Sequence, residues 1–236
     1  AGVIDVPAER VKSIPALLGE ADLVKTLQQL PGVAVGTEGM TGLYVRGGGA
    51  DENLYLLDGN PVYHVNHLLG FFSAFNPDAI KNTRFYKGSF PAEYGGRLSS
   101  VVDVRMNDGN RQEYHGNISV GLLSARANLE GPIVKDRSSF NVSVRRTWLD
   151  LITGTALAII NKNSDTKESF GYHFFDINAK VNHSFSERSR AYLSFYMGQD
   201  AFRQGSKEKH EDSDDMFLWR WGNLIGSAGW NYVFGQ

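Results

Sequence analysis

Two textures of apolar and polar residues meet in this chain near residue 110. Beyond it, apolar residues recur at every second position. Phe140, Val142 and Val144 alternate with Asn141, Ser143 and Arg145; Phe175, Ile177, Ala179 and Val181 alternate with Asp176, Asn178, Lys180 and Asn182. Ala191, Leu193, Phe195 and Met197 form a third row, and Leu224, Gly226, Ala228, Trp230 and Tyr232 a fourth. A two-residue period predicts strands with one apolar face and one markedly polar face, at about 114–123, 124–131, 138–149, 172–184, 188–199 and 216–234. The connections between them alternate in length. Gly131 to Arg137 and Ser184 to Glu187 are tight, whereas Asp150 to Gly171 and Asp200 to Asp215 are long and read as polar loops, the latter carrying the charged run from Lys207 to Asp212. Such strands fit either a solvated sheet or a membrane barrel with a wet interior, and short turns opposite long loops favour the barrel. Trp148, Phe174, Trp219, Trp221, Trp230, Tyr232 and Phe234 near strand ends fit interfacial aromatic girdles or, equally, the core of a sandwich, so this half alone leaves both architectures open.

Residues 1–110 read differently. Leu23, Leu27 and Leu30 recur at spacings of three and four and predict a helix over Gly19 to Leu30, stopped by Pro31-Gly32. Short strands are predicted over Gly42 to Arg46, Asn53 to Asp58, Thr83 to Lys87 and Ser99 to Arg105, separated by glycine-rich turns, with a helical turn at Asp78 to Ile80. Val45, Leu54, Leu56, Val101 and Val102 are the predicted core. The fold class expected is therefore an α+β domain, a small mixed sheet with short helices, followed by antiparallel strands, with domains 1–110 and 111–236.

Composition narrows the chemistry. A formal net charge of −2 gives no general attraction for nucleic acid. The absence of cysteine removes disulfides, thiolate metal sites and thiol nucleophiles together. No apolar run is long enough for a spanning helix, a test that does not see β-barrels. Gly47-Gly48-Gly49 lacks the lysine and following helix of a phosphate loop, and no Gly-x-Ser-x-Gly elbow activates a serine. No catalytic group, cofactor or metal is expected, since His64 and His67 without a third ligand do not make a metal site.

The motifs in the first half are more specific in combination than singly. Leu17 to Val33 resembles the opening helix of a TonB-dependent receptor plug, and Tyr44-Val45-Arg46-Gly47-Gly48 its arginine-glycine strand end. Leu54 to Tyr63, reading LYLLDGNPVY, resembles the family's strand and turn, and Phe75 to Ile80 followed by Phe85 to Arg97 resembles the end of the plug. The resemblance, in family order across residues 17 to 105, is to TonB-dependent outer-membrane transporters. It is nearest to receptors with a carboxypeptidase-regulatory-like domain upstream, common in Bacteroidetes. It implies a plug gating an outer-membrane β-barrel, of which only the first strands are present, and active transport of a nutrient into the periplasm. TonB, the nutrient solute, outer-membrane lipid and a surface lipoprotein are the partners it implies, the TonB box lying upstream of residue 1. A barrel of 22 strands at roughly 20 residues each needs over 400 residues after the plug, so the chain is expected to be a fragment. Within the resemblance, Tyr63, His64, Asn66 and His67 fall in an apical plug loop facing the solute. Arg46 and Lys87 fall where the family holds basic residues against acidic residues of the wall, with partners expected on strands outside this chain; lysine at 87 lacks arginine's bidentate geometry. An adhesin or structural β-protein would share the alternating strands but not the plug motifs.

Overall fold

The computed structural model describes residues 2–14, 20–37, 40–164, 166–208 and 215–234. Leu17, Leu18 and Gly19 of the first motif, and the Lys209 to Asp212 part of the charged run, lie outside them.

The first half is built on a five-stranded mixed sheet in the order β1-β8-β9-β4-β5. The strands are β1 (Val3–Pro7), β4 (Asn53–Leu57), β5 (Asn60–Pro61), β8 (Ile80–Tyr86) and β9 (Ser100–Met106). Helices α1 (Ala8–Ser13) and α2 (Leu23–Gln28) cover one face. Four two-residue strands, β2 (Val33–Ala34), β3 (Tyr44–Val45), β6 (Asn66–His67) and β7 (Phe72–Ser73), pair as β2-β3 and β6-β7. β4 and β9 pair in parallel, Leu54 opposite Val101 and Leu56 opposite Asp103. The alternation of β4 sends its side chains to two apolar layers. Tyr55 and Leu57 join Val11, Leu23, Leu27, Phe85, Val102 and Val104 under the helices, while Leu56 and the half-buried Leu54 meet Tyr86 and Val101 on the other face. Val45, Leu56, Val101 and Val102 are buried as expected.

α2 is shorter than the leucine spacing predicts. Asp22 is its N-cap, its Oδ1 accepting from the Lys25 N–H at 3.1 Å, and this satisfies a free amide that would otherwise favour an earlier start. The predicted helical turn at Asp78 is a capped turn, in which Asn76 Oδ1 accepts from the Asp78 N–H.

The second half is a six-stranded antiparallel meander, β10 (His115–Val120), β11 (Ser124–Val134), β12 (Ser138–Thr147), β13 (Thr166–Ser186), β14 (Ser189–Glu208) and β15 (Asp215–Tyr232). Two of the expected loops are corrected. Residues 149–160 form a helix, α3 (Leu149–Ile160), because LDLITGTALAII carries no helix breaker beyond one glycine and is apolar rather than polar. β13 and β14 run on past the predicted ends, in register from Asp200 to Glu208, so this part of the expected long polar loop is strand.

The polarity of this sheet is reversed relative to a water-soluble domain. Ser139, Asn141, Ser143, Arg145, Asp176, Asn178, Lys180, Asn182, Ser194 and Asp200 are buried. Val142, Val144, Val181, Leu193, Phe195, Leu224 and Trp230, on the opposite parity, are exposed. Strand pairing places Asp176, Gly198 and Asn223 in one inward row, and Ile177, Met197 and Leu224 in the adjacent outward row. Register also sorts the aromatics. Phe174 and Trp221 share the inward face with Asp200, and Trp219 with Phe202, while Trp230 is outward and ring-packed with Tyr232. Of the expected girdle residues, Phe174, Trp219 and Trp221 therefore face inward, because they sit one residue off the outward register.

Candidate functional site

The two halves meet in a buried, charged seam, and its residues come from short elements that the local sequence fixes. Asp22 caps α2 with one carboxylate oxygen and accepts from the Ser73 N–H with the other, at 2.6 Å, which ties β7 to the start of the helix. Glu20, two residues earlier, is thereby held at the seam. Arg145 on β12 reaches it, with Nη1 2.9 Å from Glu20 Oε1. The same guanidinium donates through Nε to Asp176 Oδ2 at 2.7 Å and through Nη2 to the Ser73 carbonyl at 2.8 Å. It lies 5.0 Å from the ring centroid of Phe174. Ser124 at the start of β11 donates to the second Glu20 oxygen.

His67 on β6 occupies the next position along the seam. Its Nε2 lies 2.9 Å from Asp176 Oδ1 and its Nδ1 2.7 Å from Asp200 Oδ2, while its ring stacks on Phe174 at 4.2 Å. Tyr172 donates to the other Asp200 oxygen, and Tyr196 to Asp176 at 3.0 Å. Burial works against the imidazolium, but the charges and hydrogen bonds of Asp176 and Asp200 outweigh it and lift the His67 pKa to about 9. With His67 protonated, two cations face three carboxylates in a site nearly closed to water.

A second cluster stands where the chain passes from one half to the other. Asp108 accepts from Lys81 at 2.8 Å and Arg190 at 2.8 Å, and lies 3.2 Å from Lys180. Burial would raise its pKa; Lys81, Lys180 and Arg190 together hold it well below the usual carboxylate range. Lys180 also pairs with Asp58 at 3.0 Å and reaches the Met106 carbonyl. Gly109 follows at φ +79°, and a Cβ there would meet the Phe140 carbonyl oxygen at 2.1 Å, so only glycine fits this crossing. A third link joins Arg126 on β11 to Asp78 at 2.9 Å, with Lys12 on the same carboxylate.

The residues singled out from sequence divide between different places. Tyr63 and His64 are exposed at the loop following β5, and the His64 backbone is held by Asn223 of β15 through two hydrogen bonds of 3.1 and 2.7 Å. Asn66 accepts from Thr41. His67, expected to face the solute, is 2% exposed and turned to the wall, because the two-residue strand β6 points successive side chains to opposite sides. Arg46 is exposed, at φ +50° in a tight turn, and makes no ion pair among the described residues. Lys87 donates to the Pro31 carbonyl at 2.8 Å, within the first half of the chain. The seam residues Glu20, Arg145, Asp176 and Asp200 were not singled out from sequence. The one available signal was the presence of Arg145, Asp176 and Lys180 on the polar parity of otherwise apolar strands.

Residues 8–102 match the family model described as TonB-dependent Receptor Plug Domain. Among solved structures, the siderophore receptor PirA from Acinetobacter baumannii is similar at 16% identity and TM-score 0.55, over 93% of this chain and 39% of that one. PirA from Pseudomonas aeruginosa is similar at 18% identity and TM-score 0.54, over 96% and 42%. The outer membrane transporter YddB from Escherichia coli is similar at 10% identity and TM-score 0.58, over 94% and 39%. The chain thus spans about two fifths of the length of these structures. Curated protein sequences give no significant match.

Proposed function

From the premise that residues 8–102 form a TonB-dependent receptor plug domain, we propose that this chain is the gate and first wall segment of a transporter that carries a nutrient across the outer membrane. The proposed division lies near residue 110, with the plug before it and barrel wall after it. The observation that carries the reading is the seam itself. A wide barrel needs a stopper, and this stopper is held to the wall by hydrogen-bonded ion pairs, Arg145–Glu20 and His67–Asp176 among them. A seam made largely of charges, with one apolar cluster at Phe72, Tyr172 and Phe174, separates into water at less cost than an apolar interface would, which suits a plug that must leave and return. TonB is the proposed source of the pull, through a segment upstream of residue 1, and a surface lipoprotein the proposed companion. Tyr63 and His64 are the proposed solute-facing residues. Arg46 and Lys87 remain proposed latches to wall strands outside this chain. The proposed role is a carrier's, without a catalytic step.

The absence of native cysteine in this chain makes the test direct. Asn60 and Ser227 hydrogen-bond across the plug–wall boundary. In the full-length receptor, Asn60→Cys with Ser227→Cys should form a disulfide that abolishes uptake-dependent growth, restored by reductant. Removal of the plug through Met106 should admit large antibiotics that the intact protein excludes. Uptake that continues with the disulfide closed, or in cells lacking TonB, would sink the proposal.

A further inference from the structure

The outward face of the wall carries a feature that sealing a lumen does not require. From the linker end upward, the outward rows of β13, β14 and β15 are His183/Ala191/Trp230, Val181/Leu193/Ala228, Ala179/Phe195/Gly226, Ile177/Met197/Leu224 and Phe175/Gln199/Gly222. Above the His183 row no residue in this band is ionisable. The next rows change abruptly: His173/Ala201/Arg220, then Gly171/Arg203/Leu218, with Arg146 of β12 directly beside Phe175 on the same face.

Height gives this change its meaning. Trp230 and Arg220 are ten residues apart on β15, or about 34 Å along a strand. At a tilt of about 40° that is about 26 Å along the membrane normal, against a lipid-facing band about 25 Å tall in outer-membrane barrels. The arginines thus stand at the outer boundary of the hydrocarbon, where headgroups begin. Among the described residues their charge is only partly compensated. Asp150 accepts from Arg146 at 2.7 Å and lies 3.6 Å from His173, whereas Arg203 and Arg220 are exposed and make no ion pair among the described residues. Guanidinium groups pair with phosphate in bidentate geometry and are weakly hydrated, which suits them to a half-wet boundary.

We propose that Arg146, Arg203 and Arg220, with His173 between them, form a binding surface for phosphate-bearing headgroups of outer-leaflet lipid. This rests on reading β10–β15 as barrel wall. Occupancy would fix the height and rotation of this arc in the membrane, since the contact is made by side chains on four neighbouring strands, β12 to β15.

The test uses the full-length receptor in phosphatidylcholine nanodiscs, titrated with a bis-phosphorylated lipid A bearing a fluorophore. Wild type should bind, and Arg203→Gln with Arg220→Gln should bind roughly 25-fold more weakly, at about fivefold for each arginine near a membrane surface. Arg203→Lys with Arg220→Lys, which keeps the charge but not the bidentate geometry, should bind with an affinity between those of wild type and the double glutamine variant. Arg10→Gln on the plug surface should change nothing. Equal binding by wild type and the double glutamine variant would overturn the proposal. So would full displacement of the lipid by an equal concentration of inorganic phosphate, which would identify a free-anion site. Failure of wild type to insert into neutral nanodiscs would overturn the barrel reading first, and this proposal with it.

Discussion

Replacing Arg145 with methionine keeps the length of the side chain and removes the centre of the seam. Arg145 binds two carboxylates and a carbonyl, and its side chain is 1% exposed. Without it, Glu20, Asp176 and Asp200 face a single imidazolium, and the Ser73 carbonyl loses its guanidinium donor. Removing one partner of a buried pair costs about 3–5 kcal/mol, or roughly two to three and a half orders of magnitude in an equilibrium constant. The backbone ladders of β11–β13 do not involve the guanidinium, so the loss falls on plug docking and not on the barrel. It can be read in the full-length receptor as the urea concentration that releases a fluorophore-labelled plug while the barrel stays folded. Adding Glu20→Gln should recover part of the loss, because it withdraws one of the stranded charges. A shift below about fivefold, the size expected of a solvent-exposed pair at about 1 kcal/mol, would show that the seam is wet and that the reasoning from burial is wrong.

Four further outcomes are expected. His67 has its pKa raised to about 9 from an ordinary 6.5, so its contribution to docking is complete below pH about 6.5 and is lost as the pH rises through about 9; plug release measured from pH 7 to 10 should show this loss, and His67→Asn should flatten it. Asp108 is shifted the other way, so its clamp is present at neutral pH and lost only on strong acidification; Asp108→Asn should loosen the linker at pH 7, seen as faster amide exchange at Asn107 to Asn110. Gly109→Ala should destabilise the folded receptor by more than 1 kcal/mol, since it combines φ +79° with a backbone clash, and thermal unfolding would report it. Leu27→Ala at the fully buried centre of the plug core should cost about 2–5 kcal/mol of plug stability, measured by denaturant titration.

Much of this was legible in the chain. The two-residue alternation over Phe140 to Val144 and Phe175 to Val181 gave the wall strands and their outward face, because a period of two survives whatever packs on either side. The LYLLDGNPVY motif gave β4 and β5, because its turn chemistry is local. What stayed hidden depended on contacts distant in sequence. Glu20 meets Arg145 across 125 positions, and His67 meets Asp176 across 109. Nothing near either residue marks it as paired, and the family resemblance sets His67 in one loop with the exposed Tyr63 and His64, although β6 turns its side chain the other way. The edges of elements were lost for a related reason. β13 and β14 extend past the apolar alternation because each supplies the other's hydrogen bonds, and residues 149–160 form α3 because their apolar run holds no breaker beyond one glycine.

The reversed polarity of the wall has a consequence for where this polypeptide can exist. One face of β13–β15 is stable only against water or a polar plug, and the face one residue out of phase is stable only against hydrocarbon. Neither solvent alone suits the strands, and a solution containing both in bulk would not suit them either, because the two faces are a single strand's thickness apart. They come to rest only at a boundary between the two. The place where these strands can come to rest is therefore written into the backbone's two-residue period, at every position of the strand at once.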